Sequence, residues 1–250
     1  MKLRYITCSD PRENNSVKSV IDLAHMPYSE IAVQCHPSKM SEGMPRNVWF
    51  NELLHEANQG TRLNLAIHIN CEWVDSICAK GIIPNTILEW MKIEFCYKSP
   101  LVRRIQLNMP KATAKDIKAD ALAKIIHDFP NNEFILQYNN NTKEAIEKLH
   151  KTGAKFSLLF DASGGNGKSP ENWQAPVYET HPMGYSGGMS PNNVVRNLRA
   201  INSVVPADNR IWIDAENKLK SPTLFDEKPQ FDVDLARAYI ERANIWQKQR

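Results

Sequence analysis

Short runs of apolar and β-branched residues recur along the chain: LRYIT, EIAVQC, LNLAIHI, RRIQL, EFILQY, FSLLFD and RIWID, with a weaker one before the glycines of GYSGG. Between them, SVKSVIDLAHM, NTILEWMKIEF, AKDIKADALAKIIHDF and TKEAIEKLHKTG place apolar residues at i, i+3, i+4 and i+7, the spacing of a helix with one buried face. Strict alternation of strand and helix predicts parallel strands joined by right-handed helical crossovers. Eight such units, at about 30 residues each, predict an α/β fold closed as a single (β/α)8 TIM barrel over residues 1–250. An open doubly wound sheet is the competitor, but it usually uses five or six strands. No linker or low-complexity tract divides the chain. The polar stretch HPSKMSEGMPRN after the second strand exceeds a minimal turn, and loops of that kind on such scaffolds often carry function.

Composition narrows the function classes. The 31 basic and 28 acidic side chains leave a net charge of +3 with no basic run, so the electrostatic footprint of a nucleic-acid binder is missing. No apolar window approaches the roughly 18 residues of a membrane span, and the N-terminus has no apolar leader core, so the expectation is a soluble cytoplasmic protein. The five cysteines, an odd number without metal-type spacing, are expected to be reduced thiols.

A barrel of this kind carries its active site at the C-terminal ends of its strands. Read in order, those ends offer Cys8, Cys35 with His36, His68 with Asn70, Gln106 with Asn108, Gln137 with Asn139, Asp161, Tyr185, and Asp214 with Glu216. Strand ends meet solvent in any barrel, and for the amides and Tyr185 that is the favoured reading. Asp161, Asp214 and Cys8 follow directly on apolar strand, where partial desolvation shifts pKa values, and they are the functional candidates.

Two glycine-rich loops come next. ASGGNGKS fits the permissive form of a phosphate-binding loop, with Ala162 in the first glycine position. Pro170 argues against it, because a residue before proline is pushed out of the helical region; Ser169 reads better as an N-cap with Pro170 at the first helical position. Gly164 and Gly165 then belong to a lid over the barrel mouth. In GYSGGMSPNNV, Gly187 and Gly188 precede a helix start, where backbone N–H groups suit an anion.

Taken together, YITCSD, FDASGGNGKSPENW, YSGGMSPNNV, IWIDAEN and the Asp-led final helix FDVDLARAYIERA resemble, in this order and spacing, phosphoribosylanthranilate isomerase. The resemblance spans the whole chain and is firmest in its last hundred residues. It implies the barrel fold and an Amadori rearrangement of an aminoaldose phosphate to an aminoketose, without metal or organic cofactor. It also implies Asp161 as the general acid at the furanose ring oxygen and Cys8 as the base at the adjacent carbon. Substrate and phosphate contacts would fall on Gly164, Gly165, Gly187, Gly188, Asp214, Glu216, Arg46 and Gln106.

The chain departs from that pattern on the ligand side. Asp214-Ala215-Glu216-Asn217 stands where the family has a small serine- and glycine-containing turn. Glu216 beside a phosphate would cost about 4 kcal/mol at 4 Å with an effective dielectric near 20. HPSKM replaces a Ser-Pro-Arg turn, leaving Arg46 several residues later, and Gln106-Leu107 is followed by Asn108 rather than His-Gly. The sequence thus predicts an isomerase-like barrel for a small-molecule substrate, with or without phosphate, of altered specificity. A non-catalytic small-molecule binder is the alternative. A metal-dependent hydrolase using His68, Asp161 and Glu216 lacks local ligand spacing, and His36 and His181 read as loop histidines. Oligomeric state stays open, since aromatics such as Trp246 suit either a dimer surface or helix packing.

Overall fold

A computed structural model describes residues 1–60, 63–95, 99–109, 115–161, 167–223 and 228–249. Eight parallel strands close into a barrel: β1 (Lys2–Ser9), β2 (Ser29–Cys35), β3 (Leu65–Ile69), β4 (Val102–Leu107), β5 (Glu133–Tyr138), β6 (Ser157–Phe160), β7 (Met183–Tyr185) and β8 (Arg210–Ala215). Each pairs with its sequence neighbours, and β8 closes on β1 with Ile213 opposite Ile6 and Ala215 opposite Cys8. The chain is a (β/α)8 TIM barrel, as the alternating pattern predicts.

Around the barrel lie α1 (Val17–Ala24), α2 (Pro45–Gln59), α3 (Asn85–Lys92), α4 (Ala119–Asp128), α5 (Lys143–Lys151), α6 (Val194–Val204) and α7 (Val233–Lys248). The starts are chemically marked. The Ser16 hydroxyl caps α1 by accepting from the Ser19 amide at 3.4 Å, and the Asp232 carboxylate caps α7 by accepting from the amides of Asp234 and Leu235 at 2.9 and 3.0 Å. Helix α7 lies against α6, α1 and β1, with Trp246 buried in that packing. No described helix is long and apolar enough to cross a membrane.

One crossover departs from strict alternation. Among the described residues between β6 and β7 there is no helix, so Ser169 and Pro170 do not open one. Pro170, Pro176 and Pro182 break any run long enough to form a helix. This segment is instead held by side chains: Trp173, Val177 and Tyr178 pack on the core, and the Tyr185 hydroxyl donates to the Gln174 carbonyl at 2.9 Å.

Inside the barrel the filling is graded. At the N-terminal end, Arg104 is 1% exposed, pairs with Glu30 at 2.6 Å and Glu133 at 3.3 Å, and lies over the rings of Tyr5 and Trp212 at 4.7 and 4.2 Å. Arg4 reaches Glu133 at 2.6 Å, while Thr7 and Ser157 donate to Glu30 and Glu133, both at 2.7 Å. The Arg104 Nη1 hydrogen bond to Glu30 and the neighbouring opposite charges offset part of the cost of burying these groups. Above this network Ile135, Leu159 and Trp212 form an apolar layer with Tyr5. Trp212 fits because its neighbour on β7 is Gly184, where an added Cβ would sit 2.0 Å from the indole. Above the apolar layer the filling turns polar again.

Candidate functional site

At the C-terminal ends of the strands opens a cavity of about 680 Å³, within the range of pockets that hold small organic ligands. Its wall draws on residues of β2, β4, β5, β6 and β8 and on the turns that follow β1, β3 and β7.

Asp161 and Asp214 both line this cavity, 5% and 7% exposed. Asp161 follows directly on β6, and Asp214 projects from β8, next but one around the barrel. The Ser9 hydroxyl donates to Asp214 Oδ1 at 2.6 Å. Burial pushes the Asp214 carboxyl up to about 7; the Ser9 hydrogen bond opposes that, and the charges of Glu216 and Glu30 add to it. A carboxyl titrating near neutrality inside a cavity suits proton transfer in either direction.

One wall is built from uncharged groups. Asn70 and Asn108 donate to Gln34 Oε1 at 2.8 and 3.3 Å, Asn108 donates to Asn70 Oδ1 at 3.1 Å, and Gln106 donates to Asn108 Oδ1 at 2.9 Å. Behind them His68 Nδ1 receives the amides of Gln34 and Gln106 at 3.3 and 3.4 Å. Burial, helped by Arg104, drives the His68 imidazole down to about 3, so it is a neutral acceptor that orients the two glutamines. Strand periodicity explains the grouping: Gln34, His68 and Gln106 are in register across β2, β3 and β4.

The cations converge elsewhere. Asp10, in a left-handed backbone conformation with φ 77°, pairs with Arg12, with Arg46 at 3.5 Å and with Lys220 at 2.8 Å. Arg46 also reaches Glu13 at 2.5 Å, and Lys220 reaches Glu216 at 3.1 Å. Glu216 further accepts from the Gln34 amide at 2.9 Å. Arg46, Glu216 and Gln106 thus line the cavity, but the two charged groups are already committed to partners within the protein.

The glycine turn after β7 has a mechanical explanation. A Cβ on Gly187 would lie 2.8 Å from the Lys168 carbonyl oxygen, and one on Gly188 2.6 Å from that of Gly167. The Ser169 hydroxyl donates to the Gly187 carbonyl at 3.0 Å, and the Asn193 amide donates to the Gly188 carbonyl at 2.9 Å. The pair, with φ 123° and 60°, permits backbone to meet backbone. Gly164 and Gly165 lie outside the described residues, as does most of the ASGGNGKS segment.

Cys8 is placed apart from this group. It is 0% exposed, does not line the cavity, and sits on the outward face of β1 in the apolar layer beneath the helices, near Tyr239. Burial, with the Asp214 and Glu30 charges adding to it, raises its thiol well above the ordinary range, which disfavours the thiolate a base would need. Tyr185 is likewise fully buried and faces away from the cavity. Among the described cysteines Cys71 reaches the cavity, exposed, with its sulfur 3.5 Å from His36 Nδ1. The four described cysteines are free. Among the described residues no three His, Cys, Asp or Glu side chains group as metal ligands, and His181 instead shares a hydrogen bond with His150 at 2.9 Å, beside a separate cleft.

Sequence reasoning overlooked Ser9, Asp10, Gln34 and Lys220. The signal was parity: Thr7 and Ser9 on β1, Glu30 and Gln34 on β2, and Arg104 and Gln106 on β4 are buried polar residues two or four apart, the spacing that puts side chains on one face of a strand.

No family model matches the chain, and no curated protein matches it. Among solved structures it is similar to monomers generated from the dimeric phosphoribosylanthranilate isomerase of Thermotoga maritima, with 11% identity, 97% of this chain and 99% of that one covered, and a TM-score of 0.51. At that identity the likeness is one of fold.

Proposed function

We propose that the protein is an aldose–ketose isomerase of the Amadori type, working on a sugar-like small molecule by proton transfer between carbon and oxygen. One observation carries this reading: two carboxylates, Asp161 and Asp214, face one cavity, and burial holds Asp214 near 7. The chemistry needs little else. A base takes the hydrogen from the carbon next to the carbonyl, and the proton returns to the former carbonyl carbon. The hydroxyl proton moves to the carbonyl oxygen of a free aldose or, in an aminoaldose, to the imine nitrogen that stands in its place. One C–H bond breaks and one forms, so no oxidant or reductant is required.

Asp214 is the base at carbon, since a carboxylate of pKa about 7 is both partly ionised and more basic than an ordinary one. Asp161 acts at oxygen, the place the resemblance to phosphoribosylanthranilate isomerase gives it. Cys8 has no part in this reading, and the Ser9 hydroxyl orients Asp214. The barrel likeness supports the assignment at the level of architecture.

The test is a fluorescence assay with phosphoribosylanthranilate alongside incubation of free and amino-substituted aldoses in deuterated water, read by NMR. Deuterium entering at the carbon next to the carbonyl, and lost in Asp214→Asn and Asp161→Asn, is the expected result. Folded wild-type protein that neither turns over the fluorescent substrate nor exchanges any sugar would refute the isomerase and leave a binding protein.

A further inference from the structure

We infer that the cavity is built for an uncharged, hydroxyl-rich ligand, a free sugar or small glycoside lacking phosphate, recognised by the amides of Gln106 and Gln137. This rests on the reading of the cavity as a sugar site and specifies its substrate class.

The argument begins with where charge is available. A phosphate dianion needs uncommitted cations or converging backbone N–H groups. Among the described residues lining the cavity, Arg12 and Arg46 are paired with Asp10 and Glu13, and the adjacent Lys220 with Asp10 and Glu216. Drawing any of them onto a ligand would leave Asp10, 3% exposed, with a weakened set of partners. Lys39 and Lys218 stand exposed at the rim, where solvent screens them. Nor is the glycine turn open to an anion on the side facing residues 167–170: the carbonyl oxygens of Gly167 and Lys168 lie against Gly188 and Gly187 there, presenting lone pairs.

Neutral hydrogen-bonding capacity is by contrast fixed in place. Gln106 lines the cavity and spends its NH2 group on Asn108 and His68, which fixes its orientation and leaves its carbonyl oxygen without a donor among the described residues. Gln137 lines the cavity one strand along, and its amide makes no hydrogen bond to the described residues. A preset acceptor beside an amide with both donor and acceptor is what adjacent hydroxyl groups require. The cavity volume of about 680 Å³ leaves room beyond one sugar ring.

Calorimetric titration of the full chain with D-ribose, D-glucose and maltose, and in parallel with D-ribose 5-phosphate, D-glucose 6-phosphate and inorganic phosphate, tests this. The expected result is saturable binding of a free sugar, no tighter binding of its phosphate ester, and roughly three- to ten-fold weaker binding in Gln137→Leu, the loss expected for neutral hydrogen bonds. Tenfold tighter binding of a phosphate ester, competition by inorganic phosphate, or no saturation by any of the free sugars overturns the inference. The two readings fail separately. Free sugars that bind without deuterium exchange remove the isomerase and keep the ligand class, whereas phosphate esters that are isomerised keep the enzyme and remove the ligand class.

Discussion

Ser9 hands its hydroxyl hydrogen to Asp214 across 2.6 Å, tying the end of the first strand to the end of the last at the floor of the cavity. That carboxyl titrates near 7 in the fold and near its ordinary value of 3.8 in the unfolded chain. The folded state therefore binds the extra proton between those values, and its advantage, complete below them, is lost as pH rises toward 7, at up to about 1.4 kcal/mol per pH unit. Asp214→Asn, which still accepts from Ser9, is expected to be more stable than the parent above pH 7 by a few kcal/mol while losing turnover. Urea unfolding at pH 5 and pH 8 reads the difference, which should grow with pH. In the parent, activity should rise through an apparent pKa near 7.

His68 bends the pH profile the other way. Its imidazole is down to about 3 in the fold, against an ordinary value of 6.5, so the unfolded chain binds the proton first and stability falls as pH drops below 6.5. His68→Asn offers an oxygen in place of Nδ1 to the Gln34 and Gln106 amides, and it should remove this acid loss in thermal scans between pH 6.5 and 4. Over that window the slopes from His68 and Asp214 oppose each other. The variant should therefore gain stability as pH falls, under the Asp214 slope alone, where the parent curve stays flatter.

Gly184 exists for the sake of Trp212. Gly184→Ala drives a methyl into the indole and is expected to cost at least about 3 kcal/mol, the upper part of the range for overpacking. Trp212→Leu in the same chain should recover much of the loss. Additive penalties in a double-mutant cycle would show that the two residues do not share the space.

At the closed end of the barrel, Arg104→Leu would leave Glu30 and Glu133 without their central partner. A loss of about 3–5 kcal/mol is expected, as when one member of a buried pair is removed. Denaturant midpoints at pH 7 measure it, and a change below about 1 kcal/mol would mean that water or Arg4 compensates.

The barrel was legible because each strand is a short apolar run and most crossovers carry a helical period. The exception between β6 and β7 was not, because a start signal at Ser169-Pro170 says nothing about Pro176 and Pro182, which interrupt the rest of that crossover. That Asp161 and Asp214 meet at the mouth could be read from position alone. Cys8 could not be placed that way. A parallel strand is buried on both faces, so apolar alternation does not tell which side points inward. Only comparison with Thr7 and Ser9, polar and one residue out of phase, gives the parity. The knot around Asp10 escaped because it joins residues up to 210 positions apart in sequence, from Asp10 to Lys220.

That knot divides the rim of the cavity. Asp10 and Arg12 follow β1, Arg46 opens α2 after β2, and Lys220 follows β8, so three consecutive loops around the barrel are bolted to one carboxylate. A guest that reshapes the opening must break ion pairs to move this side. This side of the mouth is thus a jamb, and because its ion pairs are buried, salt should leave it standing.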